Sequence, residues 1–449
     1  MKNSFKIFLT NYKIYQSSFF SFFLKLVRSP ILALLIVSYL NSEELGYWYT
    51  FQAIGVFIVV CEFGVSKLIS IYTSSYIVEF KSANFSNKIE LFRIHSSRVV
   101  LSILFYVFIY FFSILILFLF SFIFFDKWGS NEFISFGLFL VGSALTLFYN
   151  FYINLLYGIG LINKRNHLEN WNGIISFIFI VFFLYLGFKL FALGVALILT
   201  NVFIYLFNYK YIKFWGHRIN KFYNKIYFKN IIRSLEGIHW KYFLITLISL
   251  YITSSITIFA MKYFNPILAG RIGLTLFIFN SITGISNVFF YVRYPEILAY
   301  IQQNKLHYLK KMLIHLLSSM ISVYLFCIIL LLLLIKILTF FNLSIVRNLL
   351  PVEDILLIAI VNMCLLIIGL FAQVVRGYKV EPYWKLGVIQ VFTSSILYYL
   401  AFYFNNFHYY FILDTFLHIF ILLPVSIYLG KQYLFQIFKA NNKLVGKFN

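Results

Sequence analysis

The chain has 449 residues, of which 62% are hydrophobic and only 11% are charged, and its mean hydropathy is +0.89. This balance excludes a soluble globular protein, because apolar stretches of about 20 residues match the hydrocarbon core of a bilayer. The net charge of +23 does not indicate a nucleic-acid-binding protein, since the basic residues are spread over many loops and termini and fit anionic phospholipid headgroups instead.

Twelve hydrophobic runs follow one another along the chain. They cover residues 15–40, 46–74, 99–124, 133–162, 173–190, 191–208, 240–261, 266–292, 312–336, 353–376, 384–404 and 408–430. Strands of a membrane barrel would instead alternate apolar and polar residues over about ten positions. The sequence therefore predicts an all-α polytopic membrane protein with about twelve transmembrane helices.

The basic residues alternate between the loops that join these runs. If the N-terminus is cytoplasmic, 28 of the 37 lysines and arginines lie on the cytoplasmic side and five lie outside. By the positive-inside rule, this asymmetry places both termini in the cytoplasm.

The longest connection, 209–239, is basic and divides the runs six and six. We predict an N-terminal lobe (1–208), a basic cytoplasmic linker (209–239), a C-terminal lobe (240–430) and a basic cytoplasmic tail (431–449). The first outer turns of the two lobes, 41–46 and 265–270, are similar and suggest internal duplication.

Four basic residues belong to no loop, and three of them lie in the first two runs. Lys25 and Arg28 are three positions apart and share one helix face. Helix rise places Lys25 and Glu62 at one depth on adjacent helices, about 22–24 Å from the outer ends, so we expect an ion pair between them. Arg28 is then left near the midplane without a partner from this hairpin, while Lys67 lies closer to the interface. The alternative is that these long side chains extend to the cytoplasmic interface.

The second lobe has its own charges within the apolar runs. Arg271 and Asp414 both lie about 8 Å below the outer boundary and could pair if their helices touch. Asp414 and His418 share a helix face, a spacing that suits a protonatable couple. A structural or interfacial role is the alternative for each residue. Asp354, at a helix end, is interpreted as solvated or capping.

Amides within the runs are interpreted mainly as contacts between helices. They are Gln52, Asn150, Asn154, Asn280, Asn287, Asn362, Gln373 and Gln390. Together they indicate a bundle whose interior is polar enough to be wetted.

Sequence motifs for several chemistries are absent. The chain has no phosphate-binding loop of the type GxxxxGK[ST], no CxxC pair, no HExxH helix and no GxGxxG. We expect neither an enzyme nor a bound metal or cofactor. Transport would then be driven by an ion gradient of H⁺ or Na⁺, by the membrane potential or by substrate flow.

The first hairpin carries a more specific pattern: Pro30 in the first run, Ser-Glu-Glu-Leu-Gly-Tyr-Trp-Tyr at 42–49, and Glu62-Phe63-Gly64. This pattern resembles the Wzx-type O-antigen and capsule polysaccharide flippases of the MOP superfamily, which also contains the MATE exporters. Those proteins commonly have Asp where this chain has Glu62.

The resemblance implies about twelve helices in two six-helix lobes. It also implies transfer of an undecaprenyl-pyrophosphate-linked oligosaccharide from the cytoplasmic to the periplasmic leaflet of a bacterial inner membrane by alternating access. As further partners we expect polysaccharide polymerase and chain-length machinery.

The charges favour the same cargo, because a pyrophosphate that crosses the interior needs fixed cations to replace its hydration. We expect this role for Lys25, Arg28, Lys67 and Arg271. Glu62, Asp414 and His418 are the candidates for ion pairing or ion coupling.

Three other functions stay open. A MATE-like exporter of cationic drugs would need an acidic cavity, whereas the deep cations here are at least as numerous as the deep acids. A membrane polysaccharide polymerase would need a large outer loop, and the longest here is 337–352. A purely structural assembly protein would not need charge within the membrane.

Overall fold

The computed structural model describes residues 27–61, 128–158, 161–222, 239–302, 306–341, 344–376 and 382–433, with isolated positions between 24 and 115. Within these ranges every regular element is helical and no strand occurs. The long helices are α1 (Val27–Tyr39), α2 (Ser42–Cys61), α3 (Ser130–Gly158), α4 (Ile162–Tyr185), α5 (Phe191–Phe222), α6 (His239–Tyr263), α7 (Pro266–Gln302), α8 (Leu306–Phe340), α10 (Val352–Arg376), α11 (Trp384–Tyr403) and α12 (His408–Tyr433). A single short turn of helix, α9 (Ser344–Arg347), lies between α8 and α10.

Eight of these helices are long and apolar enough to cross a membrane: α3, α4, α5, α7, α8, α10, α11 and α12. The prediction of an all-α protein with many membrane spans is thereby confirmed for the described residues. The count of twelve and the positions of both termini stay predictions, because the third run, 99–124, and both termini lie almost wholly outside the described residues.

The described helices belong to two compact units, Met1–Leu250 and Tyr251–Asn449. The division falls within α6. The predicted linker (209–239) begins as a continuation of α5, which extends to Phe222, and its remainder and most of the tail (431–449) lie outside the described residues. The predicted lobe boundaries therefore stay predictions.

Two equivalent turns begin α2 and α7 with an asparagine cap. The Asn41 Oδ1 accepts the backbone N–H of Glu44 at 2.7 Å, and Glu44 Oε2 accepts the backbone N–H of Asn41 at 2.9 Å, which is a capping box. The Asn265 Oδ1 likewise accepts the backbone N–H of Leu268 at 2.7 Å, ahead of a proline in the first helical turn. These are the two turns in which the sequence suggests duplication.

Close approach of α3 and α5 organises the first unit. A Cβ placed on Gly194 would lie 2.6 Å from the backbone nitrogen of Phe139, and one placed on Gly142 would lie 2.7 Å from Leu197 Cβ. The Asn201 Nδ2 crosses the same interface and donates to Gly142 O at 3.2 Å. Small residues at a helix crossing let the backbones pack directly, which drives helix association where lipid removes the hydrophobic driving force.

The predicted outer turns of the first unit meet on one side. Lys189 Nζ, between α4 and α5, lies 2.8 Å from Glu44 Oε1 at the start of α2. The hydrogen bond to Glu44 raises the pKa of the Lys189 ammonium. Trp128, just before α3, packs its ring against Phe51 and Phe136 with centroids 5.5 and 4.9 Å away. The segments that precede α2, α3 and α5 therefore lie together in this unit.

Aromatic and hydroxyl contacts join the helices of the second unit. Ser255 on α6 and Tyr398 on α11 share a hydrogen bond of 2.8 Å, and Tyr398 stacks on Tyr410 of α12 at 5.0 Å. The buried Tyr324 hydroxyl on α8 donates to Ala359 O on α10 at 2.8 Å. Since α12 contacts both α10 and α11, its polar residues lie among buried neighbours rather than against lipid.

Candidate functional site

Arg28 is the predicted cation whose surroundings the structure describes most fully in the first unit. Its guanidinium lies directly on the backbone of α4 at Gly173, where an added Cβ would be 2.2 Å from Nη1. Within the described residues this guanidinium has no hydrogen-bond or ion-pair partner. Arg28 is half-buried, so its charge is partly shielded from solvent, and no counter-ion lies beside it among the described residues.

The depth of Arg28 follows from its contact with α4. Gly173 is ten residues from Asn163 and twelve from Tyr185, the ends of the candidate membrane span of α4. At a rise of 1.5 Å per residue, these offsets are about 15 and 18 Å. The guanidinium therefore lies beside the middle of this candidate span.

The α4 face that meets Arg28 carries further polar groups. Asn166 and Asn170 are buried, with 8% and 9% exposure, and with Gly173 they recur at positions i, i+4 and i+7. This spacing places all three on one face. One turn away, Arg165 and Glu169 form an ion pair of 2.8 Å, which leaves no net charge. Among the described residues, Arg28 therefore supplies the unpaired positive charge near the middle of α4.

The predicted start of the fifth span is wrong. The apolar run was placed at 173–190, whereas α4 begins at Ile162. The polar sequence 163–172 hides the helix from hydropathy, and Asn166, Asn170 and Gly173 were consequently missed as site residues. The i,i+4 pairing of Arg165 with Glu169 is the signal that favours a helix there.

Three predicted site residues of the first lobe, Lys25, Glu62 and Lys67, lie outside the described residues. The Lys25–Glu62 ion pair stays a prediction.

Arg271 and Asp414 in the second unit are not paired with each other. The Arg271 Nε, on α7, is buried and has no hydrogen-bond partner within the described residues. Asp414, on α12, has 8% exposure and contacts the imidazole of His418 instead. The helix face that Asp414 shares with His418 decides the contact, because residues four positions apart meet without any movement of neighbouring helices.

The Asp414–His418 couple is extended by an amide from another helix. His418 Nδ1 lies 2.8 Å from Asp414 O and 3.2 Å from Asp414 Oδ1, while His418 Nε2 lies 3.0 Å from Gln390 Nε2 on α11. His418 is only 1% exposed. Gln390 thus joins two helices, as amides in the spans were interpreted to do, whereas Asn154 and Asn362 donate to carbonyls of their own helices.

A second carboxylate–imidazole pair joins the N-terminal ends of α10 and α12. Asp354 Oδ1, at the start of α10, is 2.5 Å from His408 Nδ1, at the start of α12. Asp354 is buried at 6% exposure, so the interpretation of this residue as solvated is wrong. The pairing joins residues 54 positions apart, and no local pattern indicates it.

The described residues were also compared with two other kinds of site, a metal centre and an apolar groove. No cluster of three or more His, Cys, Asp or Glu side chains suited to a metal occurs among the described residues. An open groove of about 960 Å³ between the end of α8 and the start of α10 is lined mainly by apolar side chains and Lys336, and it contains none of the candidate site residues.

Comparison with known proteins identifies the fold. No protein-family model and no curated protein matches the sequence. Among solved structures, an inward-facing multidrug-resistance MATE transporter of the MOP superfamily matches with a TM-score of 0.65 and 14% identity, over 93% of this chain and 96% of that one. A MOP-superfamily transporter from Pyrococcus furiosus, in which reversed polarity of the binding pocket suggests a different function, matches with a TM-score of 0.56 and 12% identity over 96% of each chain.

An outward-facing MATE transporter also matches, with a TM-score of 0.56 and 14% identity over 96% of each chain. At these identities the similarity shows the fold alone. The chain has the fold of these transporters, as the resemblance implies.

Proposed function

We propose that the protein is a MOP-superfamily transporter that moves an undecaprenyl-pyrophosphate-linked oligosaccharide from the cytoplasmic to the periplasmic leaflet of a bacterial inner membrane. The observation that carries this proposal is the Arg28 guanidinium, near the middle of a membrane span and without a counter-ion among the described residues. An arginine at the centre of a span costs about 2.5–3.5 kcal/mol on insertion scales, so its presence there favours a functional role.

The chemistry of arginine suits the pyrophosphate. The planar guanidinium donates two parallel hydrogen bonds to phosphate oxygens and replaces water that the headgroup loses on entering the membrane. The buried amides Asn166 and Asn170 add uncharged polar groups on the α4 face that contains Gly173. Lys25, Lys67 and Arg271 are the further cations proposed to follow the headgroup, with alternating access exposing the site to each side in turn.

A MATE-like exporter of cationic drugs is the second candidate, because the fold fits it equally and Asp414 is a buried carboxylate. A carboxylate that attracts a drug cation must be available to it, whereas Asp414 contacts His418. In the first unit the charge at mid-span is positive within the described residues, and a cationic drug would be repelled there. A polymerase is less suited, since the proposed site lies within the helices.

Loss of the protein in cells that make the surface glycan tests the proposal. We expect single lipid-linked repeat units to accumulate on the cytoplasmic leaflet. The same accumulation is expected for Arg28→Ala at normal protein level, with partial rescue by Arg28→Lys, which keeps charge but loses the two-pronged geometry. Arg347→Ala, at an exposed arginine outside the spans, is the control and should leave export unchanged.

Two outcomes would count against the proposal. Repeat units that reach the periplasm without being polymerised would indicate a polymerase. Normal export in Arg28→Ala would remove Arg28 from the mechanism.

A further inference from the structure

The second unit contains a buried chain of polar contacts that has no role in the proposed binding of pyrophosphate. It runs from Asp414 through His418 to Gln390, all with 8% exposure or less. His418 is ten residues from His408 and fifteen from Tyr433, the ends of its span, or about 15 and 22 Å by helix rise. An ionisable pair at this depth is costly, and such pairs within membranes commonly mark proton pathways.

The hydrogen bonds of the His418 imidazole indicate which of its two nitrogen atoms is protonated. The Gln390 amide nitrogen only donates, so with this orientation His418 Nε2 is the acceptor and the imidazole proton is on Nδ1. Nδ1 then donates to Asp414. With Asp414 ionised, the couple is a neutral imidazole beside a carboxylate and has a net charge of −1.

One added proton neutralises the couple without leaving a polar group unsatisfied. When Nε2 takes up a proton, rotation of the Gln390 amide by about 180° turns its oxygen toward the ring, because an amide presents a donor on one side and an acceptor on the other. Imidazolium and carboxylate then form an ion pair with no net charge. Since a side-chain amide satisfies both states, the site can bind and release a proton with little rearrangement of the helices.

The backbone at His418 departs from α-helix at the same position. The segment His418–Leu422 is π-helical, and the N–H of Leu423 donates to His418 O. A π-helical turn within an α-helix is rare and frequently marks a functional site. It begins at His418 itself and leads into the C-terminal part of α12.

The titratable neighbours of the couple are mainly uncharged phenols. They are Tyr410 on α12, Tyr398 on α11 and Tyr251 on α6, with the Asp354–His408 pair at the N-terminal ends of α10 and α12. Within the described residues Asp414 has no lysine or arginine partner, so His418 is its cationic partner when protonated. His408 is about a third exposed and lies six residues from Asp414, or about 9 Å, which makes the Asp354–His408 pair the natural access point for protons.

We propose that Asp414, His418 and Gln390 form the proton-binding site that couples transport to a proton gradient, with protons entering past His408 and Asp354. The coupling rests on the proposed transport function, whereas proton binding itself does not. A proton fits better than Na⁺, because hard cations take several oxygen ligands, while Asp414 is here occupied by an imidazole.

Proton binding is tested first, without substrate. The melting temperature of the purified protein in lipid nanodiscs would be measured from about pH 5 to 8, the range in which histidine titrates. We expect the wild-type profile to contain a pH-dependent component that is absent from His418→Gln and Asp414→Asn. His315→Gln, at an exposed histidine of α8, should keep the wild-type profile. A His418→Gln profile parallel to that of the wild type at every pH would overturn the proton site.

Coupling is tested second, in proteoliposomes that contain a fluorescent lipid-linked oligosaccharide. We expect dissipation of an imposed pH gradient to slow wild-type translocation by about tenfold, within the usual range of coupling between two sites, and to leave His418→Gln unchanged at its lower rate. Translocation that ignores the pH gradient, or follows a Na⁺ gradient instead, would overturn the coupling. If the wild type moves no lipid yet retains the His418-dependent melting profile, the proposed function fails and the proton site stands.

Discussion

Replacing Gly173 with alanine tests the position of the Arg28 guanidinium without changing any charge. The new Cβ would lie 2.2 Å from Arg28 Nη1, whereas ordinary contact begins at 3.4 Å, so the head of the side chain must withdraw by about 1.2 Å. The displaced atom is the end of a flexible side chain, so the fold accommodates the change. Alanine also has a helix propensity up to about 1 kcal/mol better than glycine, so stability should hold or rise.

Translocation should nevertheless fall. A shift of this size breaks a charge-assisted hydrogen bond between guanidinium and phosphate, worth about 1.5–3 kcal/mol, which corresponds to roughly a 10- to 150-fold loss of rate. The assay is the initial rate of translocation of a lipid-linked oligosaccharide in proteoliposomes, normalised to the amount of folded protein. Melting temperature is measured on the same samples.

Gly137→Ala is the matched control. Gly137 is a helical glycine of the same unit, and a Cβ there would have no atom within 4 Å. It gains the same helix propensity and should translocate at the wild-type rate. In an Arg28→Lys background, Gly173→Ala should lose most of its effect, because coupled residues give non-additive changes. Equal rates for Gly173→Ala and Gly137→Ala would refute the role of the Arg28 position.

Three further predictions concern the packing that supports the two units. Gly194→Ala should destabilise the protein by about 1–3 kcal/mol in denaturant unfolding, since its Cβ would meet backbone atoms of α3 that cannot move away. Tyr324→Phe, which removes the buried hydrogen bond to Ala359 O, should cost about 0.5–1.5 kcal/mol by the same measurement, with translocation unchanged. The Lys189–Glu44 ion pair should stabilise the folded protein below the raised pKa of Lys189, and this stabilisation should be lost as the pH rises through that pKa. Lys189→Gln should therefore lower the melting temperature slightly at neutral pH, but not in strong alkali or at high salt.

Most spans could be predicted because a bilayer demands one property, a long apolar run, that a sequence displays directly. The same property explains the error at α4. Its first turns contain Lys164, Arg165 and Glu169, and the low hydropathy of this stretch predicts a loop. In the folded protein Arg165 and Glu169 neutralise each other in an ion pair. Hydropathy alone therefore does not predict a membrane helix whose first turns contain paired charges and buried amides.

The site was predictable only as far as local spacing reaches. The Asp414–His418 contact follows from four residues of separation, and the structure places the two groups together. The contacts of Arg28 with Gly173, of Gln390 with His418 and of Asp354 with His408 join distant parts of the chain. These contacts depend on which helix faces meet, and a single sequence does not specify that.

Translocation by the purified wild-type protein, compared with Arg28→Ala, tests the central claim most directly. Liposomes would contain an undecaprenyl-pyrophosphate-linked oligosaccharide with a fluorescent sugar, and a membrane-impermeant quencher would report which leaflet holds it. The wild type should make the whole labelled pool accessible to the quencher, while Arg28→Ala should leave the inner-leaflet half protected. A wild-type protein that leaves this half protected but exports a cationic dye would contradict the account and identify a drug exporter.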